Sequence, residues 1–153
     1  MTEEILRPNG DVNTGDWFCS TGANFYALVD EVDLDLGDFV YTATGYRYLA
    51  LAHSATSGQT INKVTVHAVM AMAAGTANNR LCVKVGAAIY QGADHLVDAV
   101  ASEYTQEWTV NPATLAPWTS AEIDDMGAGV YSRNLAGGTL EVYQIWVTVE
   151  YDD

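Results

Sequence analysis

The chain has 153 residues, which is the size of one domain. Twenty Asp and Glu residues against six Lys and Arg residues give it a formal charge of -14. This excess of negative charge argues against binding to nucleic acid or to an anionic membrane surface. Hydrophobic residues make up 49% of the chain, so we expect a folded domain despite the charge.

The beginning of the chain has no pattern of an export signal. Residues 1–4 are acidic or polar after the initial Met, whereas a secretory signal begins with basic residues and continues into an apolar run. No apolar stretch reaches the length of about 20 residues that a membrane-spanning helix needs. We therefore expect the chain to be made in a cytoplasm without a signal peptide. Cys19 and Cys82 lack CxxC spacing, and both a disulfide and two free thiols are compatible with their positions.

Residues 1–38 differ from the rest of the chain in composition. They contain nine of the twenty acidic residues and several turn-forming residues. Four aromatic residues make this segment too apolar for a free tail: Trp17, Phe18, Phe25 and Tyr26. The pattern predicts an extended N-terminal arm that packs on its own domain or on a neighbour, with a short helix within residues 23–32.

From residue 39 onward, apolar and polar residues alternate. In residues 61–72 the apolar side chains share one face, and the same alternation recurs in residues 81–90 and 143–151. Alternation of this length predicts half-buried antiparallel strands. The loop-rich break at residues 75–79 predicts that the first two strands form a hairpin or neighbouring pair. Residues 46–53 and 95–108 are further strand candidates.

A short helical turn is predicted at residues 119–126, where Thr119 and Glu122 have the spacing of a capping box. Six or more short strands with glycine-rich breaks predict an all-β protein, an antiparallel β-sandwich of jelly-roll type. A closed barrel is the alternative architecture. We therefore divide the chain into an N-terminal arm with a short helix, residues 1–38, and a β-sandwich domain, residues 39–153.

The chain lacks the residue patterns of known catalytic and metal sites. His53, His67 and His95 lie on separate predicted strands without HxH or HExxH spacing, and the acidic run at residues 30–38 lacks the spacing of an EF-hand. Neither a Gly-x-Ser-x-Gly elbow nor a phosphate-binding loop is present. We expect no catalytic residue, metal or cofactor. An enzyme would require His53 or His67 to meet an acid and a hydroxyl group in a cleft.

The four tryptophans are Trp17, Trp108, Trp118 and Trp146. The strand pattern places Trp146 on the face opposite Ile145 and Val147. There it is a platform for a sugar ring or a contact between subunits, unless the tryptophans pack between the sheets or under the arm.

Two stretches of the chain carry motifs of a known family. The first consists of Leu6-Arg7-Pro8-Asn9-Gly10-Asp11-Val12, Thr14-Gly15, Trp17, Tyr26-Ala27-Leu28-Val29-Asp30-Glu31 and the acidic run at residues 33–41. The second consists of Asn111-Pro112-Ala113-Thr114, Pro117-Trp118-Thr119, Glu122-Ile123, Gly129-Val130 and Val142-Tyr143-Gln144-Ile145-Trp146-Val147. In these two stretches, which cover both ends of the chain, the sequence resembles virion structural proteins of tailed bacteriophages. The middle of the chain matches only in its strand pattern.

The resemblance implies a β-sandwich that serves as a structural protein on the head, neck or tail of the virion. We expect a non-catalytic decoration or accessory subunit that stabilises the capsid or tail lattice through its arm and one sandwich edge. Its expected partners are further copies of itself, the major capsid or tail protein, or both. The expected contact residues are Arg7, Pro8, Trp17, Phe18, Phe25, Tyr26 and Trp146. The alternative is an adhesive module that binds carbohydrate.

Overall fold

The computed structural model describes residues 1–53, 60–133 and 135–152. In these residues twelve strands form two six-stranded sheets in which all paired strands run antiparallel. The helices are a 3₁₀ helix at Tyr26–Leu28 and the α-helix α1 at Ser120–Asp125. The prediction of an all-β protein with a sandwich of antiparallel sheets is confirmed.

Each sheet draws its strands from the whole length of the chain. The first sheet contains β1 (Thr2–Leu6), β3 (Phe18–Cys19), β4 (Val40–Thr42), β6 (Thr60–Met72), β10 (Ser102–Trp108) and β12 (Leu140–Asp152). The second contains β2 (Pro8–Asn13), β5 (Tyr48–His53), β7 (Ala77–Val85), β8 (Ala88–Gln91), β9 (His95–Val97) and β11 (Gly127–Tyr131). The order is β10-β6-β12-β4-β3 in the first sheet, with β1 also on β12, and β2-β5-β11-β7-β8 in the second, with β9 also on β7.

Early strands pair with late strands in a nested order. β4 pairs with β12, β5 with β11, β6 with β10 and β7 with β8. From β4 to β7 consecutive strands alternate between the two sheets, so β6 and β7 face each other across the core instead of forming a hairpin. The predicted pairing of these two strands is therefore wrong. Alternation shows that a strand has one buried face, but it does not show whether the next strand lies beside it or across from it.

Two of the predicted strands are interrupted in the structure. The strand predicted at residues 81–90 ends at Val85, and the chain turns at Gly86, whose φ of 60° favours glycine, before β8 begins. The strand predicted at residues 95–108 is divided into β9 in the second sheet and β10 in the first. The chain changes sheets between them.

The core lies between the two sheets. The alternating side chains of β6 that were predicted to share one face are buried there: Val64, Val66, Ala68, Met70 and Met72. From the second sheet, Leu49, Leu51, Leu81 and Val83 are buried in the same cluster. Trp17 and Trp118 are each only 3% exposed and belong to this core.

The central strand β12 contains a β-bulge at Tyr143. Its register to β6 shifts between Val142 and Gln144, so that Val142 and Ile145 both face the core. Tyr143 packs in a different apolar cluster on the outer side of the sheet. The alternation predicted Tyr143 on the same face as Ile145, which is wrong because one inserted residue moves a side chain to the other face.

The first thirteen residues add one strand to each sheet. β1 pairs with β12 and β2 pairs with β5, and the chain passes between the two sheets at Arg7. The Asp11 carboxylate accepts hydrogen bonds from the amides of Phe25 and Tyr26, at 3.2 and 2.8 Å. The sequence predicts an arm that packs on its own domain or on a neighbour, and in the structure residues 2–6 and 8–13 pair with strands of the chain's own two sheets. The acidic residues of this segment hide the alternation that marks strands elsewhere.

The helix α1 begins with the predicted capping box. The Thr119 hydroxyl accepts a hydrogen bond from the Glu122 amide at 3.3 Å, and the Glu122 carboxylate accepts one from the Thr119 amide at 2.8 Å. These two bonds satisfy backbone donors at the start of the helix.

Gly129 in β11 packs too closely against β5 to carry a side chain. A Cβ at this position would overlap the carbonyl oxygen of Leu49. We expect Gly129→Ala to lower the free energy of unfolding by about 3 kcal/mol, because β5 and β11 would have to separate. Urea denaturation followed by circular dichroism measures this loss.

Gly15→Ala is the matched control, since a Cβ there meets no heavy atom within 4 Å. It should change the free energy of unfolding by less than about 0.5 kcal/mol. Equal stability of the two variants would contradict the close packing of β5 on β11.

Candidate binding surface

The outer face of the first sheet carries a second apolar cluster. Val69, Ala71 and Tyr143 are buried there, and Phe39, Ala101 and Trp146 pack against them. This cluster is separate from the core between the sheets. The outward face of an antiparallel sheet is commonly polar and solvated. The partly exposed side chains at the margin of this cluster, and not its buried centre, mark a candidate contact surface.

Aromatic rings extend this cluster toward the edge of the sheet. The Phe18 and Tyr41 rings stack with centroids 5.6 Å apart, and Phe39 lies 6.0 Å from Tyr41 and 5.5 Å from Tyr143. Phe18 pairs with Tyr41 in the register of β3 and β4. The end of the row is open to solvent, since Phe18 is 55% exposed. We call Phe18, Phe39, Tyr41, Tyr143 and Trp146 the outer aromatic surface.

A shallow hollow of about 400 Å³ lies on this surface. It is lined by Ser20, Phe39, Tyr41, Ala73, Thr139 and Glu141. The Tyr143 hydroxyl donates a hydrogen bond to the Glu141 carboxylate. Burial, together with this carboxylate, raises the pKa of Tyr143 to about 12. The hollow thus combines aromatic walls with a carboxylate group.

Trp146 is enclosed by two neighbouring side chains. The His67 ring stacks on it with centroids 4.7 Å apart and planes 9° apart, and the Arg7 guanidinium carbon lies 5.2 Å from the centre of the indole. His67 belongs to β6 and Arg7 follows β1, and these strands flank β12 on opposite sides. The indole is therefore covered from both sides. It stands opposite Ile145 and Val147, as predicted, but it is not an open platform.

Trp118 is also unsuited to stacking on a ligand. It is buried in the core, and its Nε1 donates a hydrogen bond to the Trp108 carbonyl at 3.2 Å. Neither Trp118 nor Trp146 supplies the open aromatic groove that the carbohydrate alternative requires.

His67 connects an acid and a hydroxyl group across three strands. Its Nδ1 lies 2.8 Å from a Glu103 carboxylate oxygen, and its Nε2 lies 3.0 Å from the Thr148 hydroxyl. This order of groups is that of a catalytic triad. Thr148, however, is only 6% exposed, and both edges of β12 are paired at this residue. Its neighbouring amides are used in the sheet, which leaves no local backbone donors for an oxyanion.

The structure distributes the seven predicted contact residues over different environments. Pro8 and Trp17 are buried, and Phe25 and Tyr26 are half-buried against the core. The remaining three residues lie on the outer side of the first sheet: Arg7, Phe18 and Trp146.

Sequence reasoning missed three members of the surface, Phe39, Tyr41 and Tyr143. The spacing of Phe39 and Tyr41 was a usable signal, because residues two apart on a strand share a face. The bulge that turns Tyr143 outward left no such signal.

The segment of residues 30–38 lies beside the outer aromatic surface. The Gln144 side-chain amide donates to the carbonyls of Glu31 and Val32, at 2.8 and 3.2 Å. Arg7 Nη1 donates to the same Glu31 carbonyl at 3.0 Å. The segment exposes three aliphatic side chains, Val32, Leu34 and Leu36, which are 78%, 48% and 57% exposed. We call residues 30–38 the acidic apolar segment.

The described residues contain neither a candidate metal site nor a reactive cysteine. No three His, Cys, Asp or Glu side chains are grouped there so that they could hold a metal ion. Cys19 and Cys82 are free thiols. Burial raises the pKa of Cys82 to about 12, so its reactive thiolate form is strongly disfavoured.

Within the residues that the structure describes, neither helix has the length and apolar character needed to cross a membrane. No protein-family model matches the chain, and no curated protein sequence matches it.

His53 makes the stability of the fold dependent on pH. It is 1% exposed, and burial lowers its pKa to about 4 from an ordinary value of 6.5. Between these two values the unfolded chain binds a proton that the folded chain does not. The contribution of neutral, buried His53 to the free energy of unfolding is therefore fully present above pH 6.5, and it is lost as the pH falls toward 4. The loss from this group reaches about 2.5 kcal/mol at pH 4.5.

Urea denaturation at pH 7 and pH 4.5 tests this assignment on the chain and on its His53→Met variant. The carboxylates titrate in both proteins, so the difference between their pH dependences isolates His53. We expect the unsubstituted chain to lose about 2.5 kcal/mol more than the variant. Identical pH dependences would contradict a neutral, buried imidazole at this position.

Proposed function

We propose that this chain is a non-catalytic structural protein of a tailed-phage virion, a decoration or accessory subunit that binds the capsid or tail lattice. The observation that carries the proposal is the apolar cluster on the outer face of the first sheet, with Tyr143 buried and Phe18 exposed at its end. A neighbouring protein that covers this face removes from water the exposed ring of Phe18 and the parts of Phe39 and Tyr41 that remain accessible. The phage assignment rests on the sequence resemblance.

The proposal includes a jelly-roll topology for the sandwich. The nested pairs β4–β12, β5–β11, β6–β10 and β7–β8 support it. The strand orders within the two sheets, β10-β6-β12-β4 and β5-β11-β7-β8, also support a jelly roll. A jelly roll is a long hairpin of eight strands wrapped into two sheets. Viral capsid domains and lectins are among the proteins that use this topology.

The form of the contact surface favours binding over catalysis. Aromatic side chains such as those of Phe18 and Tyr41 commonly dominate the energy of protein interfaces. They stand on paired strands, so their order is already established before a partner binds, and less conformational entropy is lost. The contact is therefore made by a sheet face, with Phe18 as the exposed aromatic ring that residues 1–38 contribute to it.

Carbohydrate binding is the second candidate, and the hollow beside Glu141 is the observation that favours it. Phe39 and Tyr41 offer aromatic surface, and the carboxylate accepts hydrogen bonds from hydroxyl groups. A volume of about 400 Å³ is within the range of small-ligand sites. In this role the hollow, and not Trp146, is the sugar platform.

Incorporation into particles tests the structural role. We expect an antibody against the recombinant chain to detect it in purified particles of the phage that encodes it. The double variant Phe18→Ser/Tyr41→Ser should reduce the amount per particle about tenfold, which corresponds to a loss of about 1.4 kcal/mol in binding.

Leu96→Ser is the matched control, since Leu96 is 62% exposed on the second sheet. It should leave incorporation unchanged. Absence of the unsubstituted chain from the particles would refute the structural role. Glycan binding that is lost with Tyr41→Ser, in a chain absent from particles, would establish the carbohydrate alternative.

A further inference from the structure

We propose that the outer aromatic surface and the adjoining acidic apolar segment bind a different protein with a basic and apolar contact surface, and not a second copy of this chain. The inference rests on the proposed function in one respect, namely that the outer face of the first sheet is a contact surface. It specifies the chemistry of the partner.

The negative charge around the surface defines what the partner must carry. Residues 30–38 contain five acidic residues and no basic residue: Asp30, Glu31, Asp33, Asp35 and Asp38. Among the described residues none of these carboxylates forms an ion pair with a Lys or Arg side chain. Glu141 adds a further carboxylate at the hollow. Lys and Arg side chains on a partner would complement this charge.

The acidic apolar segment also exposes aliphatic side chains. Val32, Leu34 and Leu36 alternate with the acidic residues and are largely open to solvent. Phe39 follows the segment directly and continues into the aromatic row. A partner that presents only basic groups would leave these side chains exposed. The complementary surface therefore contains apolar residues between its cations.

A second copy is a poor source of these cations, because its six basic side chains would have to leave internal contacts. Lys63 bridges Glu107 and Glu150 at 2.9 and 2.7 Å, and Arg80 and Arg133 lie 2.7 and 3.7 Å from Asp94. The other three also have partners: Arg47 pairs with Asp16, Lys84 donates to the Gly86 carbonyl, and Arg7 contacts the Glu31 carbonyl and the Trp146 ring.

The total charge of the chain also argues against a second copy as the partner. Each copy has a formal charge of -14, and a two-fold contact through this face would bring two acidic apolar segments together. Like charges placed opposite each other in an interface disfavour association. Attraction to a basic partner, by contrast, speeds encounter and weakens as salt is added.

Two synthetic peptides test the chemistry of the partner, one of alternating Lys and Leu and one of alternating Glu and Leu. We expect only the Lys peptide to bind, with NMR amide shifts concentrated in residues 30–41 and 141–143. The variant Val32→Ser/Leu36→Ser, which keeps every charge, should weaken binding about tenfold because it removes the apolar contacts.

The control variant Leu96→Ser/Val100→Ser removes two aliphatic side chains that are 62% and 66% exposed elsewhere on the surface. It should bind the Lys peptide as the unsubstituted chain does. No binding of the Lys peptide would overturn the proposal. Equal binding of the Lys peptide by Val32→Ser/Leu36→Ser and by the control variant would also overturn the proposal, and so would NMR shifts spread over the whole molecule. Attraction of the peptide to the net charge alone predicts these two results.

Light scattering of the chain alone completes the test. We expect a monomer mass at every concentration in 0.15 M salt. A dimer that Val32→Ser/Leu36→Ser disrupts would overturn the choice of partner but leave the structural role intact. Failure of the structural role has a different readout, the absence of the chain from particles.

Discussion

The outer surface of this protein depends on hydrogen bonding along one edge of β12. The backbone of a buried central strand needs partners along its whole length. β6 follows one edge of β12, while the other is shared by three separate segments. β4 pairs with Leu140–Val142, the Val29 carbonyl accepts the Ile145 amide at 2.9 Å, and β1 pairs with residues 147–151. This division brings residues 1–38 onto the central strand.

The same division explains where the aromatic surface and the acidic apolar segment lie. The bulge at Tyr143 falls between the part of β12 that pairs with β4 and the part that pairs with β1, and it turns the tyrosine outward beside Phe39. The segment that contains Val29 then continues along the outer face. Apolar, aromatic and acidic groups thus meet on one side of the first sheet, although they come from distant parts of the sequence.

One part of the outer face is occupied by contacts within the chain, and another part is open to solvent. Trp146 lies between His67 and Arg7, and the His67 hydrogen bonds to Glu103 and Thr148 connect three strands. These groups are occupied by contacts within the chain. The row that ends at Phe18 remains open, and the acidic charge next to it is not neutralised by basic side chains of the described residues. The open part of the face is therefore the part available to a partner.

Several local features of this protein follow directly from its amino-acid sequence: the buried face of residues 64–72, the capping box of α1, the outward position of Trp146 and the negative charge. Each depends on residues close together in the chain, through alternation, capping or composition. Three long-range features are visible in the three-dimensional structure alone: β6 and β7 lie in different sheets, β1 and β2 complete both sheets, and Tyr143 joins Phe39 and Tyr41. These features depend on which distant strands share hydrogen bonds, and a pattern with a period of two residues contains no information about that choice.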